Sequence, residues 1–456
     1  MSAPRDVSPE DSTVKLAQAL VRVASVTPLD AKDLPAAQDS LDLAAAAATK
    51  TGAKVTQLDF SGGHAKWDYA VNNIFLEWSF GTEEKHICYI GHLDVVPPGD
   101  QKKWTEDPYS GKIEDGYLYG RGVTDMKGSV AAFISAVEEQ LADLKNQNVK
   151  ISMILTTDEE WAAVNGSKKV LEWMQARGEK VDAFIVGEPS SQDDLGSHIK
   201  IGRRGSLVGT LTAKGVQGHA AYQELFENPN RALALASAIL NSHKFSDGNA
   251  NFPNTNFETV ALKSGDFNAS AIIPGEAQLL WNIRFTPHET PDSLEKFVKD
   301  ALANPPEWAK QHPDFHLLKN IEVKANKDTA SVPYYSEPGN LASSAQDAVK
   351  TVLGRDAKLD GSGGTTDGRF AAQIYPNAEI IELGLPERGG IGDSGKGADY
   401  LSKGGMHQVD ERASVRDLAN LRKIFGETVK NYGKEKPPVA ADKKNAKPNA
   451  SPHKPG

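Results

Sequence analysis

Cysteine occurs once in the 456 residues, as Cys88. No disulfide can therefore close within the chain, and a reducing compartment suits it. Long apolar runs are also missing: none approaches the ~18 residues of a membrane span. Residues Met1 to Glu10 lack the basic-then-apolar order of a secretory leader, so a cytoplasmic location and no membrane partner are expected. Basic charge is not in excess. The net charge of −10 argues against nucleic acid as a partner, and no internal repeat suggests a solenoid. What remains, 39% hydrophobic and 25% charged residues, describes a globular enzyme whose length suggests two or three domains.

The chemistry concentrates between His86 and Lys127. Ile87 to Ile90 is a short apolar run of buried-strand type, followed at once by Gly91-His92-Leu93-Asp94. Ligands of open α/β sheets sit beyond the carboxyl ends of strands, so His92 emerges where chemistry is expected. Asp94 lies two residues on, and its carboxylate is placed to orient the imidazole through the other ring nitrogen. Asp125 then follows the Gly120-Arg121-Gly122 turn and precedes an amphipathic helix over 128–144. The next apolar run, 150–155, ends in Asp158-Glu159-Glu160-Trp161, and 181–186 ends in Gly187-Glu188. A lone Gly-His-x-Asp is as readily a strand-end turn; acidic residues at three successive strand ends point to a metal site. Imidazole and carboxylate donors suit zinc, and adjacent Glu159 and Glu160 allow one to ligate while the other serves as a base.

Around this core, helices are expected over 12–26 and 41–49 and strands over 55–60 and 73–78. From Arg203 the pattern changes: strand 206–212, helix 229–244, strands 257–263 and 277–285, a helix from Thr290, and a strand over 315–323. That β-α-β-β-α-β order describes a ferredoxin-like unit inserted into the first domain. The expected division is 1–202 and 328–433 for the catalytic domain, 203–327 for the insert, and 434–456 for a polar, disordered tail. A helix over 340–353, a strand over 379–383 and a Ser414-x-x-Asp417 capping start for the last helix complete the reading. His407, after the glycine-rich stretch 384–405, is a further metal-ligand candidate.

Gly91-His-Leu-Asp-Val-Val-Pro-Pro, Gly120-Arg-Gly-Val-Thr-Asp-Met-Lys-Gly, Asp158-Glu-Glu and Val186-Gly-Glu-Pro-Ser resemble the dizinc amidohydrolase family of aminoacylases and carboxypeptidases. The resemblance runs over about residues 12–430. Gly202-Arg-Arg-Gly-Ser, Lys214-Gly-Val-Gln-Gly-His-Ala-Ala-Tyr, Ile272-Ile-Pro-Gly-Glu, Asn282-Ile-Arg-Phe and Gly363-Gly-Thr-Thr-Asp-Gly-Arg-Phe are most similar to its branch acting on N-succinyl-diaminopimelate. The chain departs from that pattern at Trp161, at Ala271 and in the long 384–405 stretch.

The resemblance implies an α/β zinc-exopeptidase-like catalytic domain with a lid and dimerisation insert. It implies two Zn²⁺ ions, with Co²⁺ an option in one site. Asp125 would bridge them, His92 and Glu188 completing one and Glu160 and His407 the other. Glu159 would be the general base, Asp94 the residue that orients His92, and His219 a lid histidine steadying the oxyanion in a neighbouring subunit. Arginine suits planar carboxylates, so Arg204, Arg284 and Arg369, with Gly364 and Thr365, are the substrate-binding candidates. The implied reaction is hydrolysis of N-succinyl-L,L-2,6-diaminopimelate by a homodimer joined through the lid. The rivals are a related deacylase of N-acyl amino acids such as acetylornithine, a metallodipeptidase, and a non-catalytic binding protein on the same fold.

Overall fold

The computed structural model describes Ser8 and residues 11–434, apart from 28–33, 63–69, 81–84, 145–148, 162, 193 and 392–402. The expected polar tail, beyond Lys434, and part of the 384–405 stretch lie outside the described residues.

An eight-stranded sheet organises the larger unit. Its order is Lys54–Phe60, Val71–Phe80, Val149–Thr156, Lys85–His92, Ala183–Val186, Glu379–Glu382, His198–Lys200 and Lys358–Asp360. Lys85–His92 lies at its heart, parallel to both Val149–Thr156 and Ala183–Val186, and Glu379–Glu382 continues the parallel run. The reason is legible in the strand itself, because successive side chains point to opposite faces. Ile87 and Tyr89 enter a core shared with the helices Ser12–Val21, Leu34–Lys50, Gly128–Leu144, Asn340–Leu353 and Val415–Gly433. Cys88 and Ile90 enter a second core against Ser167–Ala176 and Gly368–Ile374. Burying both faces requires an unbroken apolar run, and each Ile contributes about 1.5–3 kcal/mol by leaving water.

The first helix ends at Val21, five residues before the expected end. Lys127, wholly buried, donates from its side-chain nitrogen to the carbonyls of Leu20 (3.0 Å) and Val23 (2.8 Å), which also accept from the backbone N–H of Val23 and Ser25 in the turn that leaves the helix. The chain then runs beside Asp94: Val95 N–H donates to the Ser25 carbonyl and Thr27 N–H to that of Val95, both at 2.9 Å.

The second unit has the order read from the sequence: strand Gly205–Lys214, helix Pro229–Ser242, strands Asn256–Ser264 and Glu276–Phe285, helix Pro291–Ala303 and strand Ile321–Ala325. In space the strands lie Asn256–Ser264, Glu276–Phe285, Gly205–Lys214, Ile321–Ala325, antiparallel throughout. Leu279, Trp281, Ile283 and Phe285 face the helices and are fully buried. The expected strand over 315–323 is corrected. Phe315–Asn320 is a 3₁₀ turn and the strand begins at Ile321. Leu317 and Leu318 are both buried, and adjacent residues cannot both face the core from a strand that alternates.

Candidate metal centre

The carboxyl ends of the three parallel strands lie side by side and deliver His92, the Asp158-Glu159-Glu160 turn and Glu188 to one place. Asp125 reaches it from a different direction, on an irregular turn before helix Gly128–Leu144. Gly122 starts that turn at φ +84°, and a Cβ there would stand 2.3 Å from Val95 Cγ1, so only glycine fits. The turn wraps Glu411: its Oε1 accepts from the backbone N–H of Gly122 (3.1 Å), Thr124 (3.0 Å) and Asp125 (3.4 Å). Glu411 Oε2 accepts from Arg121 Nη1 at 2.5 Å. The Asp125–Met126 peptide is cis.

Asp125 presents one oxygen to each side. His92 Nε2 lies 3.1 Å from Asp125 Oδ1 and 3.6 Å from Glu188 Oε1. His407 Nε2 lies 3.2 Å from Asp125 Oδ2 and 3.2 Å from Glu160 Oε1. His92, Asp125 and Glu188 form one three-donor group and Asp125, Glu160 and His407 another, the donor atoms of each within 4.8 Å of one another. These are the five residues singled out in the sequence, in the same two sets. His407 has φ +61°, a left-handed backbone uncommon outside glycine, and its carbonyl accepts from Arg121 Nη2 at 3.3 Å.

The expectation for Asp94 is corrected in its atom. His92 Nδ1 bonds the backbone carbonyl of Asp94 at 2.9 Å, while the carboxylate stands 3.6 Å away. That carboxylate instead accepts from the N–H of Glu159 and Glu160 (Oδ2, 3.2 and 3.1 Å) and from Thr27 Oγ1 at 3.0 Å. It anchors the turn carrying both glutamates, and the imidazole is oriented by the main chain.

Charge explains what the cluster wants. Burial raises the Glu159 carboxyl well above its ordinary value, and Asp367 is the next cause. Glu188 is likewise raised by burial and then by Asp125 and Glu159, and Glu160 by burial and then Asp125. Burial disfavours a charged His407, yet its hydrogen bonds to Asp125 and Glu160 carry it up to about 11. Three candidate ligand carboxylates and two imidazoles held this close are short of positive charge. A pair of divalent cations would supply it, and the O/N donor set fits zinc.

Among the other candidates, Arg369 lies 3.8 Å from Asp367, the carboxyl that acts on Glu159. The charge of Arg369 acts on Glu159 as well, and its Nη1 donates to the Thr366 carbonyl at 2.7 Å. Gly364 and Thr365 lie in the loop leading to it. Arg284, on the inserted sheet, and Arg204, just before its strand Gly205–Lys214, act on one another; both are half-buried, lowered by burial, and without an ion pair among the described residues. Arg204 Nη1 donates to Asn256 Oδ1 at 2.8 Å. His219 is exposed, its ring 5.5 Å from that of Tyr222, and it belongs to neither donor group.

Two contributors escaped the sequence reading. Glu411 was visible as an acid four residues after His407, but its partner Arg121 is 290 positions away. Asp367 was visible only inside the Gly-Gly-Thr-Thr-Asp-Gly-Arg motif; it is 2% exposed and 3.8 Å from Arg369.

Two three-donor groups sharing a carboxylate, with a further carboxyl at their side, at the strand ends of an α/β sheet, define a metal-dependent amidohydrolase centre. The chain belongs to peptidase family M20/M25/M40, whose model matches residues 88–431. It is 37% identical over 416 residues to a succinyl-diaminopimelate desuccinylase of Bradyrhizobium sp., covering 91% of this chain and 97% of that one. It is 40% identical over 351 residues to the enzyme of the same name from Nitrosospira multiformis, covering 77% and 84%. Human carnosine dipeptidase 1 shares the fold, with a TM-score of 0.71 at 19% identity, covering 93% and 96%. So does an M20 family metallo-carboxypeptidase of Sulfolobus solfataricus, with a TM-score of 0.69 at 17% identity, covering 93% and 99%.

Proposed function

We propose that the protein hydrolyses N-succinyl-L,L-2,6-diaminopimelate to succinate and L,L-diaminopimelate. The hydrolytic chemistry rests on one observation, the division of Asp125 between two donor groups beside Glu159. The substrate rests on the curated relatives, whose likeness spans both units of the chain.

Asp125, His92 and Glu188 would hold one zinc ion, and Asp125, Glu160 and His407 the other, with cobalt an alternative in one place. The chemistry that bound cations would supply there is polarisation of the amide carbonyl and acidification of a water. Glu159 takes that water's proton and returns it to the leaving nitrogen as the C–N bond breaks, so one water is consumed for each acid and amine released. The main-chain carbonyl of Asp94 keeps His92 Nε2 turned to the centre. Arg369, Arg204 and Arg284 bind the substrate's carboxylates, with Gly364 and Thr365 shaping the loop.

Residues 203–327 act as lid and dimerisation surface on a catalytic domain formed by 1–202 and 328–433. Val260 and Leu262, 57% and 66% exposed on the edge strand Asn256–Ser264, support that role, and His219 would act in the partner's centre. The protein would work in the cytoplasm as a homodimer.

The test is a panel of N-succinyl-L,L-diaminopimelate, N-acetylornithine and dipeptides, before and after chelation. The reading requires the succinylated substrate to lead by at least tenfold in kcat/KM, activity to vanish with chelator, and zinc or cobalt to restore it. A lead by N-acetylornithine or a dipeptide would transfer the protein to that activity; binding without turnover of any would make it a non-catalytic relative.

A further inference from the structure

The chain enters the inserted unit through Gly202–Arg203 and leaves through Tyr334–Tyr335, and the two stretches pair with Arg203 opposite Tyr334. Both side chains close on Glu382, the last residue of strand Glu379–Glu382. Arg203 reaches Glu382 Oε2 with Nε at 2.6 Å and Nη2 at 2.5 Å, and the Tyr334 hydroxyl donates to Oε1. Arg203 Nη2 also donates at 3.1 Å to the carbonyl of Pro189, the residue after Glu188. A third arm leads outward: Thr366 Oγ1 donates to Glu382 Oε1 at 2.6 Å, and the Thr366 carbonyl accepts from Arg369. Glu382 is wholly buried, and Arg203, Tyr334 and Thr366 are at most 5% exposed.

A buried ion pair is weak evidence of stability, since well-packed apolar groups often serve as well. What a fully bonded network gives is one fixed arrangement. We propose that Glu382 is a positioning residue, tying the two crossing strands of the insert to Thr366 and so holding the Arg369 loop in register with that insert. The kinetic part of this rests on the reading of Arg369 as a carboxylate anchor.

Replacing Glu382 or Arg203 leaves a buried charge alone and risks the fold, so the informative variants are Thr366→Val, Thr366→Ser and Tyr334→Phe in the full-length, zinc-reconstituted protein. The readouts are KM and kcat for N-succinyl-L,L-diaminopimelate and hydrogen exchange of the amides in 362–370. Thr366→Val should raise KM at least fivefold, with kcat within twofold, and speed exchange in 362–370. Thr366→Ser, which keeps the hydroxyl, should stay within twofold of the parent in both. Tyr334→Phe, which cuts a different arm, should speed exchange in the same segment and raise KM at least twofold. Unchanged exchange in Tyr334→Phe would reduce Thr366 to a local cap and overturn the proposal. So would a Thr366→Val protein indistinguishable from its parent, or a Thr366→Ser protein equally impaired. Should the parent not turn over this substrate, the functional reading fails, while the exchange data still decide the link.

Discussion

The large sheet is packed on both faces and the inserted sheet on one, and the two carry charge in different places. Along Lys85–His92 every residue after Lys85 is buried, so polar chemistry is driven to the strand's carboxyl end, where His92 and then Asp94 emerge. Along Glu276–Phe285 buried and less buried residues alternate to the end, so Asn282 and Arg284 sit within the strand on the open side. A doubly covered sheet concentrates polar groups at one rim; a singly covered one spreads them over a face.

The largest effect that would sharpen this contrast is at the rim. Glu159→Gln should lower kcat about 10²–10⁴-fold, the range for loss of an acid–base group, with the melting temperature held. Glu322→Gln, on the exposed edge of the inserted sheet, should leave kcat unchanged. Next come the faces themselves. Ile87→Ala and Ile90→Ala, on opposite sides of one strand, should each cost ~2–5 kcal/mol in denaturant unfolding. In the inserted sheet Leu279→Ala should cost that much and Leu280→Ala, on the open side, should not; an equal loss for Leu280 would break the contrast.

Cys88 gives a pH version. Burial pushes its thiol up to about 12 from 9.0. Between those values the unfolded chain has released a proton that the native chain keeps, so stability falls as pH rises above about 9, and Cys88→Ala should flatten that fall. The native thiol should also resist alkylation at pH 8 and react once unfolded. The smallest effect on stability is expected for Leu262→Asp, within about 0.5 kcal/mol for an exposed position. Its readout is mass in solution: a dimer joined through this edge should fall to a monomer, and an unchanged mass would remove the edge from the interface.

Much of the candidate centre was legible because each strand announces its own end. Apolar 87–90 stops at His92, 150–155 stops before Glu159, and 181–186 stops before Glu188, all without knowledge of a neighbour. The same local signal set out the insert, whose alternation in 277–285 is plain. Illegible parts depended on distant partners. Glu411 reads as a surface acid until Arg121 is brought to it. The Asp94 carboxylate, expected on His92, is claimed by the N–H groups of Glu159 and Glu160. Helix 12–26 was overextended because the residues after Val21 are drawn to distant partners, Ser25 and Thr27 to Val95 and the Leu20 and Val23 carbonyls to Lys127, more than a hundred positions away.

His407 is separated from Glu160 by 247 positions, with the whole insert between them. On a ribosome, four of the five candidate donors are synthesised early, and the fifth emerges only after the insert has left the tunnel. The second donor group therefore cannot be completed by a chain that has not yet reached His407. Order of synthesis delays hydrolytic competence until His407 has followed the insert out of the ribosome.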